Sequence, residues 1–216
     1  MKVFTSLTAG LLLGVATSMA QNGAAPLRWT EGAPNATSEV KNDAKIEGLK
    51  TDDVHIYVSL ADLKETEYNR VWIQVANRGS STLDFDPQTV VLINEKEKTL
   101  PAEVASKAAN SIQKFGEAKS QELSSAHCNN IAATQCQPTN TQMQMSKQVA
   151  AFSSQQAQWV RDNAIAKKTL APGEEEQGII MFKKEKKAAN YIVRVTAGGR
   201  VFEFPVAAQN KMPSYD

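Results

Sequence analysis

The chain has few of the residues that most enzyme and metal sites need. Its 216 residues include only two histidines and two cysteines, and no G-x-S-x-G or other nucleophile motif accompanies a histidine. The 24 basic and 23 acidic residues nearly cancel, so no global positive charge indicates nucleic-acid binding. No apolar run reaches the roughly 20 residues of a membrane-spanning helix. We therefore expect a non-enzymatic protein without a cofactor, a nucleic-acid partner or a transmembrane segment.

The first 20 residues have the pattern of a secretory signal peptide. Lys2 is the positive start, residues 7–15 form a short apolar region, and residues 18–20 are the small-x-small exit before Gln21. We expect the mature protein to be secreted or periplasmic. Without residues 1–20 the chain carries 23 basic and 23 acidic residues and is formally neutral.

Composition and periodicity predict one domain after the signal peptide. Residues 21–50 are rich in Gly, Ala, Pro, Asn, Thr and Lys without a sustained period, which is typical of a flexible leader. Residues 51–206 are expected to form a β-sandwich domain interrupted at about 101–168 by helices. Residues 207–216 are expected to be a C-terminal tail.

Alternating apolar residues predict strands in two separate blocks. Gly198-Gly199 between two strand-like runs predicts a hairpin turn. Neither block has enough strands to cover both faces of its own sheet, so the late strands must pair or pack with the early ones. The expected architecture is an antiparallel sandwich. The strands are expected at 54–60, 71–75, 83–85, 90–93, 178–182, 191–196 and 201–206.

Between the two blocks the apolar period changes to that of amphipathic helices, at about 102–122 and 141–167. The pair is expected to form an inserted helical hairpin. Its apolar faces are expected to pack on each other or on the sheet, and the alternative is contact with a membrane or a partner helix. The apolar positions are Val104, Ala108, Ile112 and Phe115 on the first helix, and Met145, Val149, Phe152, Trp159 and Val160 on the second.

Four stretches resemble the secreted bacterial immunoglobulin-like domains of the telokin-like, DUF4352 type. They are "VWIQVANRG" from Val71, "LDFDPQTVVLI" from Leu83, "TLAPGEEEQGIIMF" from Thr169 and "YIVRV" from Tyr191. The resemblance covers about 54–94 and 169–206. It implies an extracytoplasmic immunoglobulin-like sandwich without catalytic residues, and the long helical insertion departs from the family pattern.

Cys128 and Cys136 are expected to form a disulfide, because export places them in an oxidising compartment. The bond would close a loop of about nine residues and contribute roughly 2.5 kcal/mol on the chain-entropy model. The braced tip is the candidate recognition site, although polar side chains of this kind are equally ordinary in solvent. The candidate binding residues are His127, Asn129, Asn130, Gln135 and Gln137.

The sequence therefore predicts a non-catalytic binding or structural module of the cell envelope or extracellular space. The expected partner is an envelope or extracellular protein or a glycan. One alternative is a metal-binding or redox protein that uses His127, Cys128 and Cys136. Another is a hydrolase with an unrecognised site, in which His55 acts as a general base instead of being an ordinary surface histidine.

Overall fold

A computed structural model describes residues 25–41, 43–63, 66–125, 139–185 and 188–209. In this part of the chain the protein is mainly β, with twelve strands and two α-helices. The strands are β1 Leu27–Arg28, β2 Ala36–Lys41, β3 Ala44–Lys50, β4 Val54–Asp62, β5 Tyr68–Asn77, β6 Leu83–Phe85, β7 Val91–Asn94, β8 Thr99–Pro101, β9 Lys168–Leu170, β10 Glu175–Lys183, β11 Asn190–Ala197 and β12 Arg200–Ala207. The helices are α1 Ala105–Ser125 and α2 Asn140–Asn163.

The strands form two five-stranded sheets and one short pair. The first sheet has the order β1-β12-β11-β7-β8, the second has the order β10-β5-β4-β3-β2, and β6 pairs with β9. Every strand pairing is antiparallel except that of β1 with β12. Late strands pair with early ones, since β10 lies against β5 and β11 lies against β7. The prediction that the two blocks share their sheets is confirmed.

One apolar core draws residues from both five-stranded sheets. Ile56 and Ile73 come from the second sheet, and Phe202 and Phe204 come from the first, all fully buried. Phe85 joins them from β6. The alternating apolar residues of each strand thus face a common interior, which is the physical reason that neither block folds as a separate body.

The turn between β11 and β12 follows from local sequence. Gly198 and Gly199 both have positive φ angles, 56° and 70°, and join β11 to β12. Glycine is favoured in this left-handed region because it has no Cβ. The expected hairpin at this point is confirmed.

Residues 36–41 and 44–50 differ from the expectation of a flexible leader over 21–50. They form β2 and β3 and extend the second sheet beyond β4. Ala44, Ile46 and Leu49 are buried there. A Cβ at Gly48 would lie 2.5 Å from Thr37 Oγ1 and 2.6 Å from the Tyr57 ring, so the close approach of these strands depends on glycine at this position.

The helices begin and end a few residues away from their predicted bounds, and both lie between β8 and β9 in the chain. Thr139 caps α2: its hydroxyl accepts from the Gln142 amide, and the Gln142 side chain accepts from the Thr139 amide. This reciprocal capping box explains why α2 begins at Asn140. Neither described helix combines the length and apolar character needed to cross a membrane.

Candidate functional site

The two helices pack on each other in antiparallel orientation. The Arg161 guanidinium donates to Asn110 Oδ1 at 2.9 Å near one end, and the hydroxyls of Ser120 and Ser146 lie 2.7 Å apart near the other. Between these two points the helices pack tightly at Gly116, where a Cβ would lie only 2.0 Å from Ser153 Oγ. Small side chains therefore set the distance between the helices.

The halves of the helices nearest β8 and β9, residues 105–116 and 153–163, pack on the second sheet. A second apolar cluster joins Ala108, Ile112 and Val160 to Trp72 of β5 and Met181 of β10. This cluster lies on the sheet face opposite the main core, because Val71 and Ile73, the neighbours of Trp72, belong to the main core. The second sheet is thus covered on both faces at β3, β5 and β10, whereas β2 is mostly exposed.

The other halves of the helices, residues 117–125 and 140–152, contain no buried residue, and all of them are described. Three aromatic side chains on the helix pair are exposed to solvent: Phe115 (44%), Phe152 (53%) and Trp159 (36%). Exposed aromatic side chains that share one surface are typical of interaction sites. The expectation that the apolar stripes would pack away from solvent is correct for Ala108, Ile112 and Val160. It is wrong for these aromatic residues and for Val104 and Met145, which are also exposed.

Two adjoining hollows, of about 620 Å³ and 310 Å³, lie along this surface. Both are lined by Ile112, Phe152 and Gln156. We call their joint surface the helix groove. Its remaining lining residues are Leu63, Thr66, Arg70, Phe115, Lys119, Leu123, Gln148, Val149, Ser153, Gln155, Trp159 and Val160.

Arg70 of β5 marks the end of the helix groove nearest the sheet. Its guanidinium carbon lies 4.5 Å from the centre of the Trp159 ring, within the range of a cation–π interaction. This contact holds an aromatic ring and a positive charge side by side at the surface. The arrangement suits recognition of a partner that is apolar and negatively charged.

The helix groove was only partly foreseeable from sequence. Ile112, Phe115, Lys119 and Leu123 follow a helical spacing that marks one face of α1, and this signal extends beyond the residues named from sequence. Arg70 comes from a strand far away in the chain. No local pattern indicates that it meets Trp159.

The residues predicted to form the tip lie outside the described residues. This applies to His127, Asn129, Asn130, Gln135 and Gln137, and to the two cysteines, Cys128 and Cys136. The disulfide and the recognition role of this segment therefore stay predictions. Along the chain the segment joins the end of α1, Ser125, to the cap of α2, Thr139.

His55 is the second residue of β4, and its side chain is partly exposed. Partial burial, and then the positive charges of Arg78 and Lys50, lower the pKa of His55 below its usual value. Both cations favour a neutral imidazole. Within the described residues, no group of three or more His, Cys, Asp or Glu side chains is arranged to hold a metal ion.

Protein-family models, curated proteins and solved structures were compared with this chain, and none of them matches it.

Proposed function

We propose that the protein is an exported, non-catalytic interaction module of the cell envelope or extracellular space. In this proposal an immunoglobulin-like β-sandwich is the scaffold, and the helix pair is an insertion that presents the recognition surface. The helix groove is the part of that surface that contacts a partner protein. The predicted disulfide between Cys128 and Cys136 would brace the segment that joins the two helices.

The observation that carries the proposal is the exposure of Phe115, Phe152 and Trp159 around one groove. Leaving three aromatic side chains in contact with water costs free energy that burial against a partner would recover, at about 25 cal/mol per Å² of apolar surface. Interaction surfaces are enriched in aromatic residues for this reason. The floor of the groove is the buried side chain of Ile112, so the aromatic walls stand on a packed base.

The immunoglobulin-like part of the proposal is supported by the sheet arrangement. Two five-stranded sheets contribute to one apolar core, and β11 and β12 are joined by a tight hairpin. The stretches that resemble the telokin-like domains lie on β5, β6, β7, β9, β10 and β11. A scaffold of this kind holds an inserted element in a fixed orientation.

The proposal is tested by comparing partner capture between three forms of the full mature chain. The first is wild type, the second is Phe115→Ser with Phe152→Ser, and the third is Val40→Ser. Val40 is an exposed apolar residue of β2 that does not line the helix groove. The forms are immobilised and exposed to envelope extract and culture fluid, and captured proteins are identified by mass spectrometry.

We expect a protein that wild type and Val40→Ser both retain and that the double variant loses. Equal capture by all three forms would refute the helix groove as the recognition surface. A fourth form, with residues 126–138 replaced by a short Gly-Ser linker, separates the groove from the predicted tip. Loss of the partner in the fourth form alone would assign recognition to the tip.

A further inference from the structure

The chemistry around the helix groove indicates the kind of partner that fits it. Resting on the proposed function, we infer that the helix groove binds an acidic amphipathic α-helix of a partner protein. The shape of the groove, the sign of the charges along it and the curvature of its walls support this inference. The charges disfavour a second copy of this chain, and the curvature disfavours a membrane surface.

The shape of the helix groove matches one helix face. Its α1 wall runs from Ile112 to Leu123, which at 1.5 Å per residue is about 16 Å, or three helical turns. Phe152 and Val149 form the facing wall on α2. A helix that lays apolar side chains at i, i+3 or i+4 and i+7 into a groove of this length follows a common mode of recognition.

The charges along the helix groove are mainly positive. Lys119 is the charged residue of the larger hollow and Arg70 is that of the smaller one. Lys119 lies 2.8 Å from Glu122, but both side chains of this ion pair are exposed, and pairs of that kind contribute little. An adjoining hollow under α1 adds Lys114 and Glu67. Lys114 forms no ion pair among the described residues, whereas Glu67 lies 3.8 Å from Lys183. Carboxylates on the flanks of a bound helix would meet these cations.

The same charges disfavour a second copy of this chain as the occupant. In a two-fold symmetric contact the same surface patch meets itself. Two helix grooves placed face to face would bring Lys119 and Arg70 of one copy towards those of the other. Like charges at an interface reduce affinity, so self-association through this surface is disfavoured.

The curvature of the helix groove favours a helix over a membrane surface. Phe115 and Phe152 form walls above the buried Ile112, so the apolar surface is concave. A helix lying on a membrane needs an apolar face that reaches outward into the lipid. A partner helix instead fills the space between the walls.

The inference is tested with two synthetic 18-residue helical peptides and the full mature chain. Both peptides carry Leu at the i, i+3, i+7 and i+11 positions of one face, and they differ only in having Glu or Lys on the flanks. Binding is measured by fluorescence anisotropy of labelled peptide. We expect the Glu peptide to bind at least tenfold more tightly than the Lys peptide, and its affinity to fall with added salt.

Two protein variants and one control locate the effect. Phe152→Ser should lower the affinity for the Glu peptide at least tenfold. The double variant Lys114→Glu with Lys119→Glu should bind the Lys peptide more tightly than the Glu peptide. The control, Lys147→Glu, changes an exposed lysine of α2 that lies outside the helix groove. It should retain the preference. Circular dichroism checks that each variant keeps its helices, since all the changed side chains are exposed.

Equal affinity for the two peptides, or no binding of either, would overturn the inference. Concentration-dependent dimers that Phe152→Ser abolishes would assign the helix groove to a second copy. Binding to vesicles of anionic phospholipid that the same variant abolishes would assign it to a membrane. If partner capture depends on Phe115 and Phe152 while the charge reversals have no effect, the proposed function stands and the acidic-helix inference fails.

Discussion

Replacing Gly116 with alanine tests whether close helix contact holds the helix groove in shape. An alanine Cβ at this position would lie 2.0 Å from Ser153 Oγ and 2.1 Å from Ser153 Cβ. A side-chain rotation moves Oγ away but leaves Cβ where it is. The helices must therefore separate, or α1 must shift along α2, to accommodate the added methyl group.

The expected change in the free energy of unfolding is a difference between two opposing effects. Alanine is favoured over glycine within a helix by about 1 kcal/mol. Overpacking of a tight contact costs typically about 1–3 kcal/mol and sometimes more, and the overlap at Ser153 lies at the severe end. We expect Gly116→Ala to destabilise the protein by roughly 1–2 kcal/mol.

A second change should remove the overlap. With Ser153→Gly, the nearest atom of residue 153 to the alanine Cβ at 116 is Cα at 3.6 Å, an ordinary van der Waals distance. The two changes in helix propensity then partly cancel, since Gly116→Ala stabilises the helix by about 1 kcal/mol and Ser153→Gly destabilises it by about 0.5 kcal/mol. We expect the double variant to lie within about 1 kcal/mol of wild type.

The assay is urea unfolding followed by circular dichroism for wild type, both single variants and the double variant. Ser154→Gly serves as the matched control, because Ser154 is exposed on α2. It should carry the same helix-propensity cost as Ser153→Gly without removing the overlap that Gly116→Ala creates. The reasoning would be refuted if Gly116→Ala alone stabilised the protein by about 1 kcal/mol, the value of propensity without overlap.

Three further predictions concern other parts of the molecule. Asn77→Ala should cost about 2–3 kcal/mol, because the buried side chain donates to Ser81 O and Leu170 O and accepts from the Gly79 amide. At pH values above the folded-state pKa of Glu47, Glu47→Gln should raise the free energy of unfolding, because burial raises the pKa of this carboxyl and so disfavours its charged form. In non-reduced exported protein, Cys128 and Cys136 should resist alkylation, as detected by peptide mass spectrometry.

Each of these predictions has a control or an outcome that would contradict it. Asn163→Ala removes one exposed hydrogen bond, to Trp159 O, and urea unfolding should show a change within about 0.5 kcal/mol. A similar small effect for Asn77→Ala would contradict the structural role of that residue. For the cysteines, alkylation of both thiols before reduction would exclude the disulfide.

The pH dependence of Glu47 follows from the sign of its shift. Because its folded-state pKa lies above its unfolded value, the folded protein binds the extra proton between the two values. Stability therefore falls as pH rises through that window. The Lys45 ammonium, 2.7 Å from Glu47 Oε1, lowers the pKa but does not outweigh burial. An unfolding profile that Glu47→Gln leaves with the same pH dependence would contradict this assignment.

Local sequence predicted the strands whose apolar residues alternate and whose turns are marked. Residues 54–60 and 71–75 each place one apolar face on the core, and Gly198-Gly199 can adopt the backbone conformation of a tight hairpin. These features depend on neighbours in the chain. They are therefore readable without knowledge of the tertiary structure.

The same reasoning failed for β3 because both faces of the second sheet are covered at that strand, and for β2 because its side chains are partly or fully exposed and give no apolar face. In β3, Ile46 meets the cluster under the helices, while Leu49 faces the main core. Glu47 is also buried, so the strand shows no simple alternation of apolar and polar residues. A strand of this kind is recognised only after its neighbours on both sides are in place.

Sequence by itself determined which residues share a face of each helix, because periodicity fixes the direction of each side chain around the helix axis. It did not determine what would cover that face. Only the tertiary structure decided that Ile112 is buried on the sheet while Phe115 and Phe152 are exposed in a groove next to Arg70. Burial depends on contacts between segments distant in the chain, and those contacts have no local signature.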